Sequence, residues 1–161
     1  MTHPELVPEP VVTPAVTPDD LTLLDQFEAT TLAADAFGHR EHVRVGWTCL
    51  QLHDLAEASQ RFISALKNFA NFHGATGLYH ETITWAFLLV INERIGRMAR
   101  PHSWEEFAEE NPDLLSGGAF LSHYYRRETL DSDLARNVFV LPEFSPEASD
   151  GGANESSGGA R

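Results

Sequence analysis

The sequence holds a single cysteine, Cys49, in 161 residues. An intrachain disulfide needs a pair of cysteines, and zinc sites built on thiolates need several. A disulfide framework and a multi-thiolate zinc site are therefore excluded. Cys49 falls in the middle of a predicted helix, on its apolar side, and this position favours a packing role over a reactive thiol.

Positive charge is also scarce, because 11 Lys and Arg residues stand against 24 Asp and Glu and leave a net charge of −13. Lys67 is the one lysine of the chain. No stripe of Lys and Arg could neutralise a row of phosphates. We therefore expect neither nucleic acid nor an anionic membrane surface as a partner.

Long apolar runs are missing. The longest, "WAFLLVI" over 85–91, is far shorter than the roughly 20 residues that a membrane-spanning helix needs. The first residues also lack the basic segment followed by an apolar run that a secretory signal has. These absences predict a soluble, cytoplasmic protein.

The two ends of the chain differ in composition from its middle. The first eighteen residues carry five prolines, and residues 145–161 are rich in Gly, Ser and acidic residues without large apolar side chains. Such segments bury too little apolar surface to offset the entropy lost on ordering. We predict a flexible leader over 1–17, one domain over 18–144 and a disordered tail over 145–161.

Apolar residues within 18–144 recur at the spacing of helix faces, and residues that start or break helices separate the runs. The main helices are predicted over 18–30, 39–52, 55–73 and 79–98. Shorter helices are predicted from Ser103 to before Asn111, over 119–126 and over 132–137, followed by an extended segment over 138–144. The pattern predicts an all-α protein, an antiparallel helical bundle with about four main helices, short C-terminal helices and an extended tail.

Eight histidines are many for this length, and three of them have a suggestive placement. His39 and His42 lie three residues apart at the start of one predicted helix, and His80 begins another. Side chains from facing helices of a bundle often share a metal ion. His39, His42 and His80 are therefore a candidate ligand set for one divalent transition metal: Fe, Cu, Zn or Ni.

Polar side chains near these histidines suggest roles in catalysis. Glu81 is a candidate acid/base, and Tyr79 and Arg44 are candidate substrate contacts. Three neutral histidines with open coordination positions suit a redox metal. We predict a metal-dependent enzyme acting on a small organic molecule, with oxidation favoured over hydrolysis, and His123 is a candidate further ligand.

Two alternatives stay open. The same pocket would serve a non-catalytic module that binds a small apolar or aromatic ligand. Alternatively, the histidines are structural, because His39 and His80 lie near predicted helix N-termini, where an imidazole can accept from a free backbone N–H. Without metal, His42 or His80 would be the candidate general base.

Three blocks of the sequence form a recurring pattern. They are F-x-H-x-x-H-x-R-x-x-W over 37–47, Y-H-E-T-I-T over 79–84 and Y-Y-x-x-x-x-L-x-S-x-x-A-R over 124–136. Over 37–144 the chain thus resembles a group of small, uncharacterised, all-helical bacterial proteins. The resemblance does not imply any particular activity. It implies one recurring unit formed by His39, His42, Arg44, Trp47, Tyr79, His80, Glu81 and Thr82.

Overall fold

The computed structural model describes residues 15–100 and 102–144. Within those ranges all regular secondary structure is helical, which confirms the predicted all-α fold. The α-helices of this part are α1 (Pro18–Glu28), α2 (His39–Leu52), α3 (Leu55–Phe72), α4 (Glu81–Arg97), α5 (Trp104–Glu110), α6 (Pro112–Leu115), α7 (Arg127–Leu130) and α8 (Asp133–Asn137). Three short 3-10 helices, Ala34–Ala36, Thr76–Leu78 and Gly118–His123, lie in the connections.

Most of the predicted leader, over 1–17, and the whole predicted tail, over 145–161, lie outside the described residues. No helix in the ranges 15–100 and 102–144 is long and apolar enough to cross a membrane.

Side-chain caps fix where the main helices begin. The Thr17 hydroxyl accepts from the backbone N–H of Asp20, and the Asp20 carboxylate accepts in return from the backbone N–H of Thr17, which is a capping box. Ser103 and Glu106 form a second capping box, at the start of α5. Asp54 caps α3 by accepting from the backbone N–H of Glu57.

Helix α2 is the centre of the bundle. It contacts α1, α3, α4 and α6. Short connections join α2 to α3 and α3 to α4, so the three helices run alternately up and down. Trp47 of α2 is fully buried and packs against the rings of Trp104 and Phe107.

Several ion pairs join helices, and two of them hold α2 and α4 to their neighbours. Arg44 of α2 donates from Nε to Oδ1 of the buried Asp20 at 2.6 Å, while the backbone N–H and the hydroxyl of Thr17 donate to Oδ2. Arg94 of α4 makes a two-pronged contact with the Asp113 carboxylate of α6, at 2.7 and 2.6 Å. Hydrogen bonds of this geometry fix both distance and angle between the joined helices.

The extended segment predicted over 138–144 lies across the bundle. The Thr82 hydroxyl donates to the carbonyl of Val138 and accepts from the backbone N–H of Val140. Tyr125 adds a hydrogen bond from its hydroxyl to the Val140 carbonyl. Because Thr82 lies in the first turn of α4, this segment covers the start of that helix.

Candidate functional site

The up-down-up course of α2, α3 and α4 brings four histidines to one end of the bundle. His39 is the first residue of α2 and His42 lies one turn further. His73 is the C-cap of α3, and His80 is the N-cap of α4. The N-terminus of α2, the C-terminus of α3 and the N-terminus of α4 meet at the same end, so these side chains share one space.

That space is a cavity of about 370 Å³. All four histidines line it together with Tyr79 and Thr84, and its remaining walls are apolar. The main aromatic contributors are Phe37, Phe62, Phe69 and Phe87. Among the described residues, no Asp, Glu, Lys or Arg side chain lines this cavity.

His80 has both ring nitrogens engaged. Nδ1 lies 3.2 Å from the backbone N–H of Ile83 and accepts from it, which caps α4. Nε2 lies 2.8 Å from the carbonyl oxygen of Leu130. A carbonyl only accepts, so Nε2 carries the proton and His80 keeps no free lone pair. His80 thus accepts from a free backbone N–H at a helix N-terminus, which is the structural role that the sequence analysis kept as an alternative to metal binding.

His39 and His73 are held through one nitrogen each. Nε2 of His39 lies 2.8 Å from the carbonyl oxygen of Leu114, and Nε2 of His73 lies 3.2 Å from that of Leu32. Both carbonyls accept, so both Nε2 atoms are protonated, and in the neutral form of each ring Nδ1 carries the lone pair. The two rings also pack on aromatic neighbours, Phe87 for His39 and Phe69 for His73.

The ring of His42 differs from the other three because neither of its nitrogens has a hydrogen-bond partner within the ranges 15–100 and 102–144. Its ring packs edge-on against Phe37, with 4.0 Å between ring centroids. Burial, reinforced by the neighbouring His39, lowers the pKa of His42 from 6.5 to about 4. His42 is therefore an uncharged imidazole at neutral pH.

The predicted metal-ligand set is brought to one cavity but is not arranged around one point. His39 and His80 turn a nitrogen toward carbonyls of separate segments, Leu114 and Leu130. In the part of the chain that the structure describes, no group of three or more His, Cys, Asp or Glu side chains has the geometry to hold a metal ion.

Glu81 and Tyr79 form a separate polar cluster beside the cavity. Glu81 accepts from the Tyr79 hydroxyl at 2.8 Å and from the indole N–H of Trp85 at 2.9 Å. Lys67 completes the cluster, with Nζ 3.9 Å from the Glu81 carboxylate and 4.7 Å from the centre of the Tyr79 ring. Burial and the bond to Glu81 raise the pKa of Tyr79, so its phenol stays protonated.

The structure places the other two candidate residues away from the cavity. Arg44 is engaged with Asp20 at the junction of α1 and α2. His123 is exposed at the end of a 3-10 helix. Conversely, the sequence assigned no role to His73, which lines the cavity. The topology of the bundle could have indicated it, because the C-terminal end of α3, capped by His73, meets the first residues of α2 and α4 in an antiparallel bundle.

A wider cleft of about 990 Å³ lies at the other end of α4. Its charged side chains are engaged with one another or with neighbouring helices. Arg94 contacts both Asn111 and Asp113, and Arg97 pairs with Glu93. The smaller cavity is the better candidate site because apolar walls with a few polar groups are typical of ligand pockets.

Comparison with known proteins found no matching family model, no matching curated protein and no matching solved structure. The function of the cavity has to be inferred from its own geometry and chemistry.

Proposed function

We propose that this protein is a small-molecule-binding module that holds a neutral, largely apolar ligand in the cavity between α2, α3 and α4. The observation that carries the proposal is the cavity itself, about 370 Å³ in volume and walled mainly by aromatic and aliphatic side chains. Ligand pockets in proteins span roughly 300–1,000 Å³ and have this kind of lining.

The charge state of the cavity supports a neutral ligand. No ionic side chain in the described residues lines it, and its least engaged histidine, His42, has a lowered pKa and is uncharged at neutral pH. Burying an ion without a partner costs several kcal/mol or more. A ligand that brought a full charge into this cavity would lack compensation.

The chemistry around the cavity favours binding over turnover. The hydroxyl of Thr84 donates to the His80 carbonyl, and the hydroxyl of Tyr79 donates to Glu81. Cys49 does not line the cavity, and burial raises its pKa to about 12, so this thiol is not an activated nucleophile. His42, with its low pKa, is a weak general base near pH 7.

A probe of matching chemistry tests the proposal directly. N-phenyl-1-naphthylamine is neutral and apolar, and its fluorescence rises in an apolar site. We expect saturable binding at one site per chain. The substitution Ala70→Phe fills the cavity from α3 and should weaken binding at least tenfold. Ala56→Phe, on an exposed position of the same helix, is the matched control and should bind like the unaltered protein.

Circular dichroism of both variants shows whether the helices are retained. Absence of saturable binding to the unaltered chain would overturn the proposal. Equal affinity of the Ala70→Phe variant and the unaltered chain would place the probe elsewhere and have the same consequence.

The metal-dependent enzyme expected from the histidine pattern is the competing proposal, and one observation favours it. His39 and His73 each donate one ring N–H to a backbone carbonyl, and their other ring nitrogen has no hydrogen-bond partner among the described residues. A histidine that binds a metal through one nitrogen commonly donates its other ring N–H in the same way. Elemental analysis of protein expressed with Fe, Cu, Zn and Ni available separates the two. One equivalent of metal, lost in His39→Ala, would favour the enzyme; substoichiometric metal favours the binding module.

A further inference from the structure

The cavity has fewer unused hydrogen-bond donors than unused acceptors. Every side-chain donor that lines it, apart from that of His42, is already used inside the protein. These donors are the Nε2–H groups of His39, His73 and His80 and the hydroxyls of Tyr79 and Thr84. Their acceptors are the carbonyls of Leu114, Leu32, Leu130 and His80 and the carboxylate of Glu81.

Acceptors, by contrast, are left over. In their neutral forms, His39 and His73 each carry a lone pair on Nδ1, and no described residue donates to it. A neutral His42 adds a further lone pair and one N–H, also without a partner among the described residues. Three ring-nitrogen acceptors therefore stand against one unused ring N–H, and the hydroxyl oxygens of Tyr79 and Thr84 keep accepting lone pairs as well.

His42 is the best placed of these acceptors. It lies one turn inside α2 rather than at a helix end, and the ring of Phe37 fixes it from one side at 4.0 Å. Phe37 is itself locked between Phe27 and Phe69, at 4.6 and 4.9 Å. A polar atom held on a rigid aromatic wall is pre-organised, so little entropy is lost when it forms a hydrogen bond.

We propose that the cavity selects a neutral apolar ligand carrying a hydroxyl or N–H donor, and that His42 accepts the hydrogen bond from that group. This inference rests on the proposed binding function and names the ligand class. An unpaired acceptor in an apolar cavity gains most from such a donor, because a ligand without one would remove water from His42 and replace it with nothing.

The test compares two ligands of similar size that differ in their ability to donate a hydrogen bond. 2-Naphthol carries a hydroxyl, and 2-fluoronaphthalene carries a fluorine of similar size that cannot donate. Dissociation constants come from protein-observed NMR titrations of the full chain near pH 7.5. We expect 2-naphthol to bind about tenfold more tightly, the ratio that about 1.4 kcal/mol of hydrogen-bond energy gives.

Variants at position 42 show whether His42 causes the preference for 2-naphthol. His42→Phe keeps a flat ring against Phe37 and removes both nitrogens, so the tenfold ratio should fall close to one. His42→Gln supplies an amide oxygen as acceptor and should keep a preference for 2-naphthol. His123→Phe makes the same change at an exposed histidine outside the cavity and should leave the ratio unchanged.

Each outcome has one meaning. Equal binding of the two ligands to the unaltered chain overturns the ligand class while the binding function stands. A preference that survives in His42→Phe overturns the role of His42. If His42→Phe loses both ligands, His42→Gln decides: a retained preference supports the inference and a lost preference overturns it. If neither ligand nor N-phenyl-1-naphthylamine binds the unaltered chain, the binding function itself fails.

Discussion

The two ends of helix α2 differ in how tightly they are packed. Toward its C-terminus, Trp47 is fully buried against Trp104 and Phe107, and Cys49 beside it is equally inaccessible. We call this region the packed end. Toward its N-terminus, His39 and His42 border a cavity of about 370 Å³, which we call the cavity end.

Under the proposed function, one helix would serve stability at one end and ligand binding at the other. The packed end even holds a buried indole N–H, that of Trp47, without a hydrogen-bond partner among the described residues. At the cavity end, each histidine except His42 is tied to the backbone. Stability is thus expected to depend mainly on the packed end, and ligand recognition on the cavity end.

The largest effect on stability is expected at the packed end. Trp47→Ala removes a fully buried indole and leaves a cavity, which should lower the free energy of unfolding by about 3–5 kcal/mol. His42→Ala, at the cavity end of the same helix, should cost less than about 1 kcal/mol because open space already borders it. Urea denaturation measures both, and similar losses at the two sites would contradict the division of α2.

Removal of the buried carboxylate of Asp20 should have the next largest effect. Asp20→Ala leaves Arg44 without its partner and removes the capping box of α1, so we expect a loss of about 3 kcal/mol. Asp19→Ala, an exposed change one residue earlier, is the control and should cost at most about 0.5 kcal/mol. Ligand affinity should stay the same in both, because Arg44 does not line the cavity. Weaker ligand binding by an Asp20→Ala protein that is still folded would contradict this expectation and would support the role of Arg44 as a ligand contact.

Acid should weaken the fold partly through His42. Its pKa is about 4 in the folded protein and near 6.5 when unfolded, so between these values the unfolded chain binds one more proton. Stability should therefore fall as the pH drops from about 6.5 to 4, by roughly 3 kcal/mol from this residue. His42→Phe lacks the group, and its stability should decline less over the same window. Parallel pH curves for the two proteins would show that His42 is not buried as described.

The smallest of these effects is expected at the N-cap of α4. His80→Ala removes both the cap on Ile83 and the bond to Leu130, for a loss of about 1–2 kcal/mol. His80→Asn retains a good capping side chain and should recover about half of that loss. Amide exchange at Ile83 gives the local measurement, and it should quicken in the Ala variant more than in the Asn variant. Equal exchange in the two would argue against the capping role.

The helices were largely predictable because their signals are local. Caps such as Thr17 and Ser103 act within a few residues, and the predicted starts of α1 and α5 were confirmed. The helix predicted over 119–126 is instead a 3-10 helix, Gly118–His123. Gly117, with a φ of 83°, turns the chain just before it. The single helical turn of α6 directly after α5 was missed, because Pro112 reads equally as a helix stop and as a first helical residue.

The candidate site was less predictable because its decisive contacts are distant in sequence. Helical spacing and antiparallel topology were enough to bring His39, His42 and His80 to one cavity. The orientation of each ring depends on carbonyls supplied 75 residues away for His39 and 50 residues away for His80. The partner of Arg44, Asp20, lies 24 residues earlier. No local pattern contains these pairings.

The hydrogen bond between His80 and Leu130 also means that the cavity is completed late in the synthesis of the chain. Thr82 adds a second tie, to Val138, which lies 56 residues later. As the chain leaves the ribosome, α2, α3 and α4 are all made before the segments that fix the start of α4. The cavity therefore acquires its final shape only when residues 130–140 have been synthesised and docked. Under the proposed function, a ligand that fits this shape would bind the finished domain in preference to its precursors, and so would stabilise only completed chains.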